Sequence, residues 1–328
     1  MSKTKVAFYA PVDIEKRLAA VAKIAASNDL LEFVLVDLDK TPEENHTACE
    51  GAEVFITPNI VTVNEVAEGI KGLKLIQTFS AGTDELDKAK LLNLGIKVAN
   101  NGGANAVAVA EHAVWMLLTV NHKFDKQIES VKAGTWRSGV PGDLTEFTSL
   151  VDKQVGIVGL GRIGSRVAKR LQGWECNVVY HDTIEFDADY VAATGASQMP
   201  LDELIATSDI ITLHVPLDRV TEKMFSTEQF KAMKNTAVLI NTCRGPVVDE
   251  SALIEALRNG EIWGAGLDVT EVEPIQPDNP LIGMPNVVLT PHTGTKVIQS
   301  DWNANINVVA NAERVAQGLE PDWVVDPV

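Results

Sequence analysis

The chain is poor in cysteine, in basic residues and in long apolar runs, and each shortage excludes a class of protein. Three cysteines, Cys49, Cys176 and Cys243, supply neither a disulfide framework nor a CxxC metal spacing. The 28 Lys and Arg residues face 45 Asp and Glu residues, and the formal net charge of −17 argues against binding to nucleic-acid phosphates. The longest apolar runs are strand-sized, short of the roughly 18 residues that a membrane span needs. Because no apolar signal region follows Met1, we expect a cytoplasmic protein without membrane or nucleic-acid partners.

The pattern of the 328 residues predicts two α/β domains. Short apolar runs alternate with amphipathic helical runs up to residue 100, and the last of these helices is predicted over Asp84–Leu94, closed by Gly95. A second alternating series begins at Lys153. Such alternation predicts two parallel sheets, each flanked by helices. Between the two series, Ala106–Val120 is apolar on most faces, which predicts a helix buried against another domain or a second subunit.

The best-defined motif is Gly159-x-Gly161-x-x-Gly164, which follows the apolar run Val155–Val158 and opens a helical pattern. In this setting the first glycine permits a tight turn, the second lets the backbone approach a pyrophosphate, and the third lets the helix pack on the strand. Asp182 ends the next predicted strand, eighteen residues after Gly164, where a carboxylate can accept hydrogen bonds from a ribose. The alternative is a plain strand–helix turn, but the acid at this position favours a dinucleotide site.

Three polar residues, Arg244, Glu273 and His292, follow predicted strands of the second series. Taken singly, each has a plainer interpretation: an internal salt bridge for the arginine, a solvated glutamate, and a packed or surface histidine. Ligands of open α/β sheets bind outside the carboxyl ends of the strands, so the three residues are expected together beside the dinucleotide. The guanidinium suits a carboxylate, the imidazolium can protonate a carbonyl, and the glutamate favours the charged imidazole. This set is what the reduction of a 2-keto acid requires.

With these motifs, the chain resembles the D-isomer-specific 2-hydroxyacid dehydrogenases nearly from end to end. The segments that carry the resemblance are Val155–Gly164, Leu213–Pro216, Ile240–Gly245, Gly266–Val269 with Glu273-Pro274, and Thr290–Gly294. The resemblance implies that Arg244, Glu273 and His292 are the catalytic trio. It further implies an NAD-dependent oxidoreductase that interconverts a small 2-keto acid and the D-2-hydroxy acid.

The resemblance also implies the remaining site residues and the domain arrangement. Besides the three glycines, the residues implied to contact NAD are Arg162, Ile163, Asp182, Val215, Thr242, Cys243, Asp268 and Gly294. Asp268 is expected beside the nicotinamide amide, and Ala81 and Gly82 are expected to bind the substrate together with Arg244 and His292. A Rossmann NAD-binding domain, 101–293, is expected inside a flavodoxin-like substrate domain formed by 1–100 and 294–328. The helix at 106–120 is expected in a homodimer interface.

Two features concern specificity. Asp182 is followed by several acidic residues and by no Arg or Lys before Arg219, so a 2′-phosphate would meet carboxylates, which predicts NAD rather than NADP. The loop Ser80–Asp87 lacks the family's usual Asn, and the residues after Gly294 replace its commoner small-residue run. Both departures lie in segments that are expected near the substrate. The specificity loops contain no cluster of basic residues suited to a phosphorylated acid, so glyoxylate and hydroxypyruvate are the expected substrates.

Other members of the superfamily provide alternative functions. Formate dehydrogenases resemble this chain but carry Gln where Glu273 stands, because formate oxidation needs no proton transfer. Phosphite dehydrogenases share the Arg, Glu and His, and phosphite oxidation stays open. A non-enzymatic, NAD-sensing protein like the corepressors of the superfamily is a further alternative, although those proteins carry disordered tails and the residues at both ends of this sequence are expected to be folded. Metal chemistry is not expected.

Overall fold

A computed structural model describes residues 3–139 and 147–326. The predicted domain ends at residues 1–2 and 327–328, and residues 140–146 of the predicted NAD-binding domain, lie outside the described residues. The chain divides into two compact units. We call Met1–Asn105 with Val297–Val328 the split unit, and Ala106–Lys296 the central unit.

A parallel sheet forms the centre of the split unit. Its strands are Thr4–Phe8 (β1), Leu31–Leu35 (β2), Ala52–Thr57 (β3), Leu75–Thr78 (β4) and Lys97–Ala99 (β5). They lie in the order β2-β1-β3-β4-β5, which is the flavodoxin-like order. Consecutive β3 side chains enter different cores, Phe55 on one face and Val54 and Ile56 on the other, because both faces of the sheet are covered. The predicted flavodoxin-like sheet is confirmed.

Helices cover the two faces of this sheet. They are Ile14–Ala25 (α1), Pro42–Ala48 (α2), Val63–Gly69 (α3), Lys88–Asn93 (α4) and the last helix of the chain, Ile298–Ala316 (α12). Val308 and Ala312 of α12 enter the same core as Val21 of α1. Helix α4 begins at Lys88 because the Asp87 side chain accepts a hydrogen bond from the Lys90 N–H at 3.0 Å and caps the helix. The predicted start at Asp84 was wrong.

The central unit is built on a second parallel sheet. Its strands are Gln154–Val158 (β6), Asn177–His181 (β7), Ser197–Gln198 (β8), Ile210–Leu213 (β9), Val238–Asn241 (β10), Gly264–Leu267 (β11) and Val287–Leu289 (β12). The strand order is β12-β11-β10-β9-β6-β7-β8. The first strand in the chain, β6, lies inside the sheet, and later strands add to it on both sides, as in a Rossmann fold. The predicted Rossmann architecture is confirmed.

The helices of the central unit pack on both faces of its sheet. They are Ala106–His122 (α5), Phe124–Lys132 (α6), Gly164–Leu171 (α7), Ala188–Ala192 (α8), Leu201–Thr207 (α9), Thr227–Ala232 (α10) and Glu250–Asn259 (α11). Helix α5 is buried along most of its length, as predicted, but the elements that it packs against, β10, β11, β12 and α7, belong to its own unit. Its Val107 and Trp115 side chains are exposed. In the described part of the chain, none of the helices combines the length and apolarity needed to cross a membrane.

Candidate active site

The glycine turn between β6 and α7 has the geometry that its spacing predicts. Gly159 has φ +93°, and a Cβ added there would lie 2.6 Å from the carbonyl oxygen of His214. A Cβ on Gly164 would lie 2.0 Å from the Gly159 carbonyl oxygen, so only glycine lets α7 start this close to the strand. A Cβ on Gly161 would meet nothing within 4 Å. The open space at Gly161 fits the close approach of a pyrophosphate to the backbone.

Two side chains fix this turn from the side of β7. The Asp182 carboxylate accepts hydrogen bonds from the backbone N–H of Leu160 at 2.7 Å and of Ile184 at 2.9 Å. The Tyr190 hydroxyl, on α8, lies 3.0 Å from the Leu160 carbonyl oxygen and 3.2 Å from that of Gly161, and can donate to either. Asp182 was predicted from its distance to the motif. Tyr190 was not predicted, because nothing in the local pattern links it to a turn 29 residues earlier.

The ends of β9 and β10 bring further predicted cofactor residues to the same edge of the sheet. A methyl group of Val215 would lie 3.1 Å from a Cβ on Gly159, so Val215 borders the turn. Thr242 is 7% exposed, and its hydroxyl oxygen has no hydrogen-bond partner among the described residues. A buried polar atom without a partner is uncommon in native proteins and fits a site that a polar ligand completes. Burial raises the pKa of the neighbouring Cys243 to about 11, so this thiol stays uncharged.

The other two predicted cofactor contacts of the glycine turn differ in exposure. Arg162 is exposed, and Ile163 is half-buried beside the first turn of α7. Both precede the helix whose free N–H groups and dipole favour a phosphate. The glycine turn, Val215 and the unpartnered Thr242 hydroxyl together fit a dinucleotide.

Arg244, Glu273 and His292 follow β10, β11 and β12, which are neighbours in the sheet. The loops after β10 and β11 touch, since a Cβ on Gly245 would lie 1.8 Å from the Thr270 carbonyl oxygen. Arg244 has extended backbone, and its guanidinium donates to the Cys243 carbonyl oxygen at 2.7 Å. The structure therefore places the three predicted catalytic residues on loops at one edge of one sheet.

The central contact of the candidate active site joins His292 and Glu273. His292 Nδ1 lies 2.7 Å from Glu273 Oε2, while Oε1 of the same carboxylate accepts from the Thr270 N–H at 3.2 Å. The side chains of His292 and Glu273 are 41% and 37% exposed, so a small molecule can reach them. Because the carboxylate engages Nδ1, the ring can exchange a proton with a substrate through Nε2.

Asp268 supports the turn that carries His292. Its carboxylate is 3% exposed and accepts from the Thr290 hydroxyl at 2.6 Å and from the N–H groups of Thr293 and Gly294 at 2.8 Å each. Burial alone would raise the pKa of Asp268, but these hydrogen bonds and one from His112 outweigh it and lower the pKa. The contact of Asp268 with a nicotinamide amide stays a prediction. The structure shows that the Asp268 carboxylate accepts hydrogen bonds from the two residues that follow His292 in the chain. One of them is Gly294, a predicted cofactor residue.

The predicted substrate residues Ala81 and Gly82 lie in the split unit, in the loop that follows β4. The Ser80 hydroxyl donates to the Gly82 carbonyl oxygen at 2.7 Å, and the Ser80 carbonyl oxygen accepts from the Thr78 hydroxyl at 2.9 Å. Ala81 and Gly82 are half-buried. The loop is thus held by its own side chains, and its contact with a substrate stays a prediction.

A Rossmann unit with a glycine turn suited to a dinucleotide and a paired His and Glu at its strand ends defines the class of nicotinamide-dependent oxidoreductases. Residues 114–294 match the family model described as "D-isomer specific 2-hydroxyacid dehydrogenase, NAD binding domain". The chain belongs to the family of D-isomer-specific 2-hydroxyacid dehydrogenases, which are NAD(P)-dependent oxidoreductases. The resemblance seen in the sequence is confirmed.

The proteins that are similar to this chain carry the names of more than one enzyme. A glyoxylate reductase of Korarchaeum cryptofilum is 38% identical over 231 residues, 70% of this chain and 69% of the relative. A D-3-phosphoglycerate dehydrogenase of Archaeoglobus fulgidus is 36% identical over 256 residues, 78% of this chain and 47% of the relative, so the match spans about half of that protein's length. The crystal structure of an NADPH-dependent glyoxylate/hydroxypyruvate reductase of Sinorhizobium meliloti, 26% identical, has a TM-score of 0.84 and covers 99% of this chain and 98% of its own.

Proposed function

We propose that this protein reduces a small 2-keto acid, glyoxylate or hydroxypyruvate, to the D-2-hydroxy acid with NADH. The observation that carries the proposal is the 2.7 Å contact between His292 and Glu273 on loops beside Arg244. A histidine held by a carboxylate suits proton transfer to a carbonyl oxygen, and a guanidinium suits a carboxylate. The names of the glyoxylate reductase and the glyoxylate/hydroxypyruvate reductase among the relatives support this substrate class.

In the proposed mechanism each residue of the trio has one task. The Arg244 guanidinium binds the substrate carboxylate and polarises the adjacent carbonyl group. The glycine turn, Val215 and Thr242 would hold NADH, which would supply the hydride for the carbonyl carbon. His292 transfers the proton from Nε2 to the carbonyl oxygen, so the C=O bond becomes CH–OH and the ring is left neutral. Glu273 binds Nδ1 and orients the ring so that Nε2 faces the substrate.

The choice of NAD over NADP rests on Asp182. Its carboxylate is fixed by the N–H groups of Leu160 and Ile184, so it cannot turn away without losing both hydrogen bonds. A 2′-phosphate near it would face a negative charge, and Glu185, Asp187 and Asp189 follow with no basic residue among them. The structural neighbour is NADPH-dependent by its name. We therefore propose a different cofactor preference for this chain, NADH, from the NADPH dependence in the name of that neighbour.

A homodimer formed through α5 is part of the proposal. Val107 and Trp115 expose 49% and 45% of their surface on a helix that is otherwise mostly buried. An exposed apolar patch can mark a protein–protein contact, and these two side chains would form part of such a patch. Sedimentation of the purified protein tests this assignment: Trp115→Glu should shift the population toward monomer, and an unshifted dimer would contradict it.

An absorbance assay with NADH and a panel of acids tests the function. Glyoxylate and hydroxypyruvate should be reduced with higher kcat/KM than pyruvate, and 3-phosphoglycerate should not be oxidised with NAD. Phosphite with NAD tests the alternative reaction in the same assay. If the protein binds NADH but oxidises it with none of these acids, the enzymatic proposal is wrong. If 3-phosphoglycerate is the better substrate, the assigned substrate class is wrong.

A further inference from the structure

A second histidine, His112, lies next to the residues that support the His292 turn. It belongs to α5, 178 residues before Thr290, and its side chain is 18% exposed. His112 Nε2 lies 2.9 Å from the Thr290 hydroxyl oxygen and 3.4 Å from Asp268 Oδ1. Its place on a helix that is apolar on most faces would favour an ordinary packing role for this histidine. The structure instead connects it to the candidate active site.

The hydrogen bonds fix which atom of His112 carries a proton. The Thr290 hydroxyl donates its one hydrogen to Asp268 Oδ1 at 2.6 Å. The Asp268 carboxylate also accepts two backbone N–H groups and is therefore an acceptor on both oxygens. The remaining contact, between Thr290 and His112, needs a hydrogen from the ring. His112 is thus a donor through Nε2–H.

His112, Thr290 and Asp268 enclose the backbone on both sides of His292. Thr290 precedes His292, and Asp268 binds the N–H groups that follow it, while the His292 N–H donates to the Asp268 carbonyl oxygen at 2.8 Å. A Cβ on Gly294 would lie 2.9 Å from Asp268 Oδ2 and 3.3 Å from the His112 ring, so the turn fits tightly over this group.

His292 itself has φ +52°, a left-handed conformation that residues with a side chain seldom adopt. Such a conformation persists only where the surrounding contacts hold it. The three side chains beneath the turn supply those contacts.

We propose that His112 is a positioning residue, which donates through Nε2–H to the Thr290–Asp268 pair and thereby holds the His292 turn in register with Glu273. The inference rests on the proposed role of His292 in proton transfer. His112 itself exchanges no proton with the substrate. Its effect is on the placement of His292, and small displacements of a reacting group lower rates by up to about 100-fold.

Four variants test this role. His112→Phe keeps a ring but removes the donor, and its kcat for 2-keto acid reduction should fall about 10-fold, with the KM for NADH changed less than about 2-fold. His112→Gln keeps an N–H donor and should retain kcat within about 3-fold of the wild type. Thr290→Val should resemble His112→Phe. The double variant His112→Phe/Thr290→Val should be no slower than the slower single variant, because both changes break one connection.

His122→Phe is the matched control, since His122 lies on the same helix and stacks on Phe124 at 5.1 Å, away from the turn. It should keep wild-type kcat. Nitrogen-15 NMR of the wild-type imidazoles provides a readout independent of turnover, with the His112 signals identified by their loss in His112→Gln. They should show a protonated Nε2.

Wild-type kcat in His112→Phe, losses that multiply in the double variant, or an unprotonated Nε2 would each overturn the proposal. An inactive wild type that binds NADH would instead contradict the proposed function, so the two failures are distinguishable. If His112→Phe does not fold, the kcat of Thr290→Val and the protonation of Nε2 in the wild type still test the proposal.

Discussion

Replacing Glu273 by glutamine removes one charge from the centre of the candidate site and leaves its size unchanged. The carboxylate now accepts from Thr270 through one oxygen and contacts His292 through the other, at 3.2 and 2.7 Å. A glutamine has one acceptor oxygen, so it cannot accept both hydrogens. A hydrogen bond to a charged group is worth about 1.5–3 kcal/mol, and the lower end applies here because the two side chains are 41% and 37% exposed and screened by water.

A loss of about 1.5–2 kcal/mol in the transition state lowers kcat about 10- to 30-fold. Steady-state NADH oxidation with saturating 2-keto acid measures this loss. Glu271→Gln is the matched control, because Glu271 lies two residues away and faces Lys223 at 3.7 Å. Wild-type kcat in Glu273→Gln would refute the assigned role.

Four further predictions concern the cofactor site and the thiol beside it. Asp182→Ser with an adjacent Arg should shift the kcat/KM ratio toward NADPH, and an unchanged ratio would mean that another residue selects the cofactor. Gly164→Ala places a Cβ 2.0 Å from a carbonyl oxygen and should destabilise the fold by about 1–3 kcal/mol in denaturant unfolding. Gly161→Ala adds a Cβ with nothing within 4 Å and should keep wild-type stability while weakening NADH binding; equal stability losses in the two variants would contradict this account. With a pKa of about 11, Cys243 should carry on the order of one thiolate per thousand molecules at pH 8, so mass spectrometry should find it alkylated by iodoacetamide only after unfolding.

The glycine turn could be predicted from the sequence because its requirements are local. The turn, the open space and the close packing each fall on one glycine at fixed spacing, and the structure shows a separate geometric reason for each. The same holds for Arg244, Glu273 and His292, which follow neighbouring strands. Parallel strands bring residues after their carboxyl ends to one edge, so position relative to a strand was sufficient to group them.

The contacts that support His292 could not be predicted in this way. His112 and Thr290 are 178 residues apart, and Tyr190 reaches a turn 29 residues before it. Periodicity identifies the buried face of a helix such as α5 but gives no partner for a polar residue on that face. Asp268 is another residue whose partners the sequence did not give. The family resemblance implies that its carboxylate contacts a cofactor, and the structure shows that it accepts hydrogen bonds from backbone N–H groups.

The hydrophobic pattern of the sequence also failed to predict a short strand and the first residue of a helix. Strand β8 has two residues, Ser197 and Gln198, both exposed, so it has no apolar alternation to detect. Helix α4 starts after Asp87, and the apolar spacing alone extended it to Asp84. The Asp87 cap, which apolar spacing does not register, sets the first residue of the helix.

The most direct test of the account is the turnover of His292→Gln with glyoxylate and hydroxypyruvate, measured beside the wild type with NADH. The wild type should reduce both acids. The variant should bind NADH with unchanged affinity, by fluorescence titration, and lose about 10²- to 10⁴-fold in kcat, because a positioned proton donor contributes a rate factor of that size. Wild-type turnover in His292→Gln would contradict the central claim that His292, held by Glu273, transfers the proton.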